Sequence, residues 1–322
     1  MKCLVFFNLL LMGLLCSCAS YSGRTDTASA RPQTIQLMPA IGPVVKRQAG
    51  MAEGKDLSRI ACHIRPPWAT GPIELRFPEV LRSSMGYHFL DNFSATIVPL
   101  NEWDTLPQWQ GDTNSGSLRY EFKTPEGLRF RAVATPVRDE VQLEFTVVNE
   151  TGKTIDRVEA NCCLAFNDCP ELNAKWHPEN IFAMLDGQWQ SFDHATPTAQ
   201  QIGHRPWFLS LRAEAVKTTS LPRISPTWWM IDQHHTENLM GAVTRDRQHL
   251  VGYTWSVEPI GLMSNGSNPC LHAGMGFSPE IPVGQAFTWW GKIYFLRNNP
   301  KELLKRYQAD QARWKYNLPN PR

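Results

Sequence analysis

From residue 118 onward, apolar and polar positions alternate in short runs closed by turn residues. Leu118-Arg119-Tyr120-Glu121-Phe122 alternates, Thr124-Pro125-Glu126-Gly127 turns, and Leu128-Arg129-Phe130-Arg131-Ala132-Val133 alternates again. Successive side chains on a strand point to opposite faces, so a period of two on both sides of a Pro/Gly turn predicts a β-hairpin. The same reading makes a second hairpin of residues 141–147 and the Ile155, Val158 and Ala160 positions, joined through Asn149-Glu150-Thr151-Gly152. A third joins residues 240–244 to 250–255 around Arg245-Asp246-Arg247-Gln248. In the last strand Phe287, Trp289, Ile293 and Phe295 share a core face, and Trp290, Lys292, Tyr294 and Leu296 share the other. The period then changes. Asn299 suits a helix cap, Pro300 the first helical position and Glu302 the capping-box acid, while Leu303, Leu304, Tyr307 and Trp314 fall on one face, interrupted by Gln311. The expected fold is mainly β: a large antiparallel β-sandwich with a C-terminal helix at about residues 300–316.

The start of the chain follows another pattern. Lys2 precedes an apolar run over residues 4–15, and polarity rises at Ser17. The run is shorter than the roughly 20 residues needed to cross a bilayer, so residues 1–17 read as a secretory signal peptide. Its end, Leu15-Cys16-Ser17-Cys18, resembles the lipobox of bacterial lipoproteins. That resemblance implies cleavage before Cys18, lipidation of Cys18, attachment to a membrane and a place in the bacterial cell envelope; the alternative is an ordinary secreted protein. Residues 18–56 are rich in Ser, Thr, Ala, Gly, Pro and Gln and are expected to form a flexible tether, with 41–45 as an optional edge strand. No compositional break divides residues 57–322, so they are expected to form one domain.

The formal charge of the 322 residues is +2, with acids and bases interspersed, which argues against a nucleic-acid partner. There is no nucleophile elbow, P-loop, dinucleotide fingerprint or H-E-x-x-H, and no cofactor is expected. Residues 141–152, followed by Asn161-Cys162-Cys163-Leu164-Ala165-Phe166-Asn167, resemble the central strands of galactose-mutarotase-like β-supersandwich proteins. The resemblance implies a supersandwich and a role with carbohydrate. Cys162-Cys163 stands where that family has His-Pro, so the sugar-contacting histidine does not carry over.

Polar chemistry falls in a few places. Besides Cys18, the processed chain keeps Cys62, Cys162, Cys163, Cys169 and Cys270, and an exported compartment permits disulfides among them. Adjacent strand residues face opposite ways, which keeps Cys162 and Cys163 from sharing a metal. Asp232, His234, His235 and Glu237 cluster after Trp228-Trp229, and Cys270 and His272 share a strand face. No fixed ligand spacing assigns a metal. His272, His234, His235 and Glu258 are the candidates for general acid/base catalysis. Twelve tryptophans include two adjacent pairs, and Trp290, Tyr294 and Lys292, with Trp228 and Trp229, are the candidates for a sugar-stacking surface unless the C-terminal helix covers that face. The expected function is an envelope lipoprotein whose sandwich binds or processes carbohydrate. If it is an enzyme, it is a lyase, hydrolase or epimerase using His/Glu chemistry; the alternative is a non-catalytic structural or protein-interaction lipoprotein.

Overall fold

The computed structural model describes residues 34–40, 61–83, 86–90, 109–112, 115–124, 126–173, 177–197, 207–213, 228–231, 234–259, 261–266 and 269–317. These residues form two sheets and one α-helix. The first sheet holds β1 (Gln36–Pro39), β2 (Ala61–Arg65), β3 (Ile73–Ser83) and β4 (Gly86–Leu90). The second sheet takes β5 (Gln110–Gly111), β6 (Leu118–Lys123), β7 (Leu128–Val137) and β8 (Glu140–Asn149). The chain returns to the first sheet with β9 (Glu159–Ala165), adds β10 (Ile181–Leu185) and β11 (Gln188–Ser191) to the second, then β12 (Ala195–Pro197), β13 (Trp207–Leu211) and β14 (Trp228–Ile231) to the first. Strands β15 (His235–Val243) and β16 (His249–Trp255) belong to the second, β17 (Gly261–Asn265) and β18 (Cys270–Ala273) to the first, and β19 (Ala286–Arg297) to the second.

Spatial order in the first sheet is β1-β2-β3-β9-β18-β17-β13-β14-β12, with β4 on β3; in the second it is β11-β10-β15-β16-β19-β8-β7-β6-β5. Pairing is antiparallel except between β13 and β14, which run parallel. The sheets meet through apolar faces: Phe77 of β3 lies 5.8 Å from the Phe145 ring of β8 and 5.4 Å from Trp255 of β16. Phe287, Trp289, Ile293 and Phe295 all join this core, so the alternation predicted for the last strand holds. Gly291 makes the packing possible, because a Cβ there would sit 2.5 Å from the Trp255 ring.

The first and third expected hairpins form, as β6–β7 and β15–β16. The second does not. β8 pairs with β7 and β19 and so has no edge left for residues 155–160. The buried Asn149 donates through Nδ2 to the carbonyls of Lys153 and Ile281, and the chain crosses to the first sheet, where β9 lies against β3. Asn149 thus anchors a crossover where an Asn-Gly turn suggested a return. A second correction concerns the expected tether: Gln36–Pro39 pairs with β2, and Ile35 is buried in the core. Ile35 and Leu37 flank the polar Gln36, a strand signal too short to stand out in a polar stretch.

The helix, α1 (Pro300–Asn317), starts where expected: the Asn299 side chain accepts from the Glu302 N–H at 3.2 Å. It lies on the outer face of the second sheet, with Leu303 and Tyr307 packed against Tyr294, Leu250 and Leu296. Gln311, read as an interruption of the apolar stripe, donates to the Trp255 carbonyl at 2.9 Å and fastens the second half of the helix.

Candidate functional site

Register brings together polar residues from three strands on the face of the first sheet that points away from the core. Arg76 of β3 pairs with Cys163 of β9. Leu271 pairs with Leu164, so one step further His272 of β18 stands opposite Cys163, and Met263 of β17 continues the row. The neighbouring row is Glu74, Ala165 and Cys270. The intervening positions, Leu75, Leu164 and Leu271, belong to the core on the other face.

A bulge completes the group. Between Arg76 and Val80 four steps along β3 face only two along β9, from Cys163 to Asn161. Bulges re-aim side chains, and this one places Glu79 where Oε1 accepts from Arg76 Nη1 at 3.0 Å and Oε2 lies 3.7 Å from His272 Nδ1. Arg76 Nε donates to Glu74 at 2.7 Å. Asn161 Nδ2 is 3.3 Å from His272 Nδ1. Arg76, Glu79 and His272 are 5 %, 2 % and 3 % exposed, yet Glu74, Asn161 and Met263 beside them are only half-buried. Burial disfavours a proton on His272, and the Glu79 carboxylate beside it favours one. The hydrogen bond with Cys270, then burial, hold the Cys163 thiol protonated.

His234, His235 and Glu258 form a separate group. His234 donates from Nδ1 to the Leu211 carbonyl at 3.2 Å, and Glu258 pairs with Arg212 at the surface. His235 is buried, and burial lowers its pKa to about 4, with Arg212 and His234 acting in the same direction. Trp290 lies elsewhere again, half-buried on the outer face of the second sheet beside Ser256. Lys292 and Tyr294 share that face and lie under α1: Lys292 Nζ pairs with Glu140 at 2.8 Å and Asp310 at 2.9 Å, and the Tyr294 hydroxyl donates to Asp310 at 2.8 Å. Their polar atoms are spent inside the fold, so the predicted stacking surface is closed at these two positions. His272 and Trp290 stand on outer faces of different sheets, which pack about 10 Å apart, and do not share a site. Cys18, Asp232 and the side chains of Trp228 and Trp229 lie outside the described residues.

His272 is thus the sequence-predicted candidate around which a polar group assembles, and Arg76, Glu79, Asn161 and Cys163 were missed as its partners. Residues from β3, β9 and β18 are far apart in sequence and meet only through register. One local signal was available: charged Glu74 and Arg76 alternate with the core residues Ile73, Leu75 and Phe77 in the first half of β3.

No protein-family model matches the chain, and no curated protein sequence matches it. Solved structures similar in fold include galactose mutarotase and aldose epimerase relatives. A galactose mutarotase related enzyme from Lactobacillus acidophilus is 10% identical over 73% of this chain and 90% of its own, with a TM-score of 0.41. A protein from Synechocystis is 8% identical over 78% and 99%, with a TM-score of 0.38. A galactose 1-epimerase from Lactobacillus acidophilus is 7% identical over 83% and 100%, with a TM-score of 0.31.

Proposed function

We propose that the chain is a lipid-anchored protein of a bacterial cell envelope whose β-sandwich binds or processes carbohydrate around Arg76, Glu79, Asn161 and His272. The anchor rests on the apolar run over residues 4–15 and the Leu15–Cys18 motif. The carbohydrate reading rests on one observation: an ion pair and an imidazole are buried together on a sheet face that points away from the core. Well-packed apolar residues commonly stabilise a fold as well as a buried ion pair does, so stability alone gives little reason for the group. Such groups concentrate at sites of chemistry. The set also suits a polyhydroxylated ligand: a carboxylate accepts from hydroxyls, a guanidinium and an amide donate, and an imidazole does either. Glu79 and His272 on one side of such a ligand form the pair that acid/base work at a sugar carbon requires. The half-buried Glu74, Asn161 and Met263 mark where a ligand reaches the group.

The test is a glycan-array screen of the chain from Ala19, followed by titration of any hit. Glu79→Gln removes the charge and keeps the shape, so it should weaken binding at least about tenfold, or about 1.4 kcal/mol, while Trp290→Ala leaves binding unchanged. Equal affinity of Glu79→Gln and the parent, or no glycan bound by a folded parent, overturns the reading.

A further inference from the structure

We propose that Cys163, Cys270 and His272 bind a thiophilic d10 cation, zinc(II) or copper(I). The donor atoms of these three buried residues lie within 4.8 Å of one another. They come from adjacent strands, which fixes their spacing without reference to sequence distance. Two thiolates and an imidazole are the donor set that selects such ions over hard cations. The inference does not depend on the carbohydrate reading; the two share His272, and with the ion bound His272 is a ligand and not an acid or base.

The surroundings fit a metal better than the other uses of two neighbouring thiols. Cys270 pairs with Ala165 and Leu271 with Leu164, so His272 stands level with Cys163, and Cys270 lies diagonal to Cys163 across the strands. Diagonal neighbours stand about 7–8 Å apart, beyond the usual span of a disulfide. A nucleophilic role for Cys163 is also disfavoured, since its sulfur is almost fully covered. Nδ1 of His272 lies 3.3 Å from Asn161 and 3.7 Å from Glu79, which puts a carboxylate beside the imidazole where it can orient a metal-bound histidine. Both thiols give up their protons to solvent on binding, and two thiolates neutralise a zinc(II) ion. Copper(I) takes the three donors alone. Zinc(II) adds a fourth, a water.

The experiment is titration of the reduced, purified full-length protein with zinc(II), with copper(I) under anaerobic conditions and with magnesium(II), read by competition with chromophoric chelators. A single ion per chain is expected for zinc or copper and none for magnesium. Cobalt(II) in the same place should show thiolate-to-metal charge transfer. Cys163→Ala and Cys270→Ala should each weaken binding more than about 100-fold, the upper end for an outer partner, and Glu79→Gln about 10- to 100-fold. Cys162→Ala, on the opposite face, should keep the ion, and thermal melts confirm that each variant folds. X-ray absorption at the metal edge should report sulfur and nitrogen neighbours, which tests the site in the parent alone. Unchanged affinity in both folded cysteine variants, an edge spectrum without sulfur, or a Cys163–Cys270 disulfide in the unreduced protein overturns the proposal. Glycan binding by metal-stripped parent, measured beside it, separates failure here from failure of the carbohydrate reading.

Discussion

Trp289 and Trp290 are neighbours in sequence and opposites in environment. Trp289 is fully buried against Phe145 and Phe287, whereas Trp290 is half-buried on the outer face. Trp289→Ala should therefore cost about 3 to 5 kcal/mol in urea unfolding and Trp290→Ala clearly less. Equal losses would contradict the register of β19. His235 makes a second residue-scale prediction. Its folded pKa, about 4, lies below the ordinary 6.5, so between these values the unfolded chain binds the proton and the folded chain does not. Its contribution is complete above about pH 6.5 and is lost as pH falls toward 4, with a slope approaching about 1.4 kcal/mol per unit. His235→Asn should flatten that part of the stability-against-pH curve; an unchanged slope would reassign it to other groups. The partition of Trp289 and Trp290 was readable from alternation alone. The burial of His235 was not, since two adjacent histidines carry no sign of which one the sheet covers.

At the scale of elements, the contact between α1 and the second sheet is polar as well as apolar. Asp310 accepts from the Tyr294 hydroxyl and pairs with Lys292, which also holds Glu140 of β8. Asp310→Ala leaves a buried hydroxyl without its acceptor and should cost about 2 to 3 kcal/mol, while Asp310→Asn keeps an acceptor and should cost less. Equal costs in chemical denaturation would show that the charge, and not the hydrogen bond, holds the helix. The helix ends and the two local hairpins were legible because caps, turns and periods are short-range. The crossover after β8 was not: Asn149-Glu150-Thr151-Gly152 reads as a hairpin turn, and only the arrival of β19 on the free edge of β8 forces the chain to the other sheet. The polar group around His272 was hidden for the same reason, because Arg76, Cys163 and His272 become neighbours through pairings that no local period encodes.

For the whole molecule, the sandwich class followed from period-two alternation, and the structure bears it out with two sheets and a C-terminal helix. The proposed anchor predicts that an alkyne fatty acid fed to cells labels the wild-type protein and not Cys18→Ser; equal labelling of the two would remove the lipid from the account. One feature of the topology bears on how such a chain is made. β19, the last strand, is central in the second sheet, between β8 and β16. Until it arrives, β5 to β8 and the sheet half containing β10, β11, β15 and β16 have no strand to join them. Closing β8 on β19 spans well over a hundred residues, and contacts that distant in sequence form late. If the chain crosses a membrane N-terminus first, as the proposed anchor requires, this sheet cannot lock before nearly all of it has passed. A chain that stops short of residue 286 would leave two half-sheets with bare edges, the kind of exposed strand that pairs with the wrong partner.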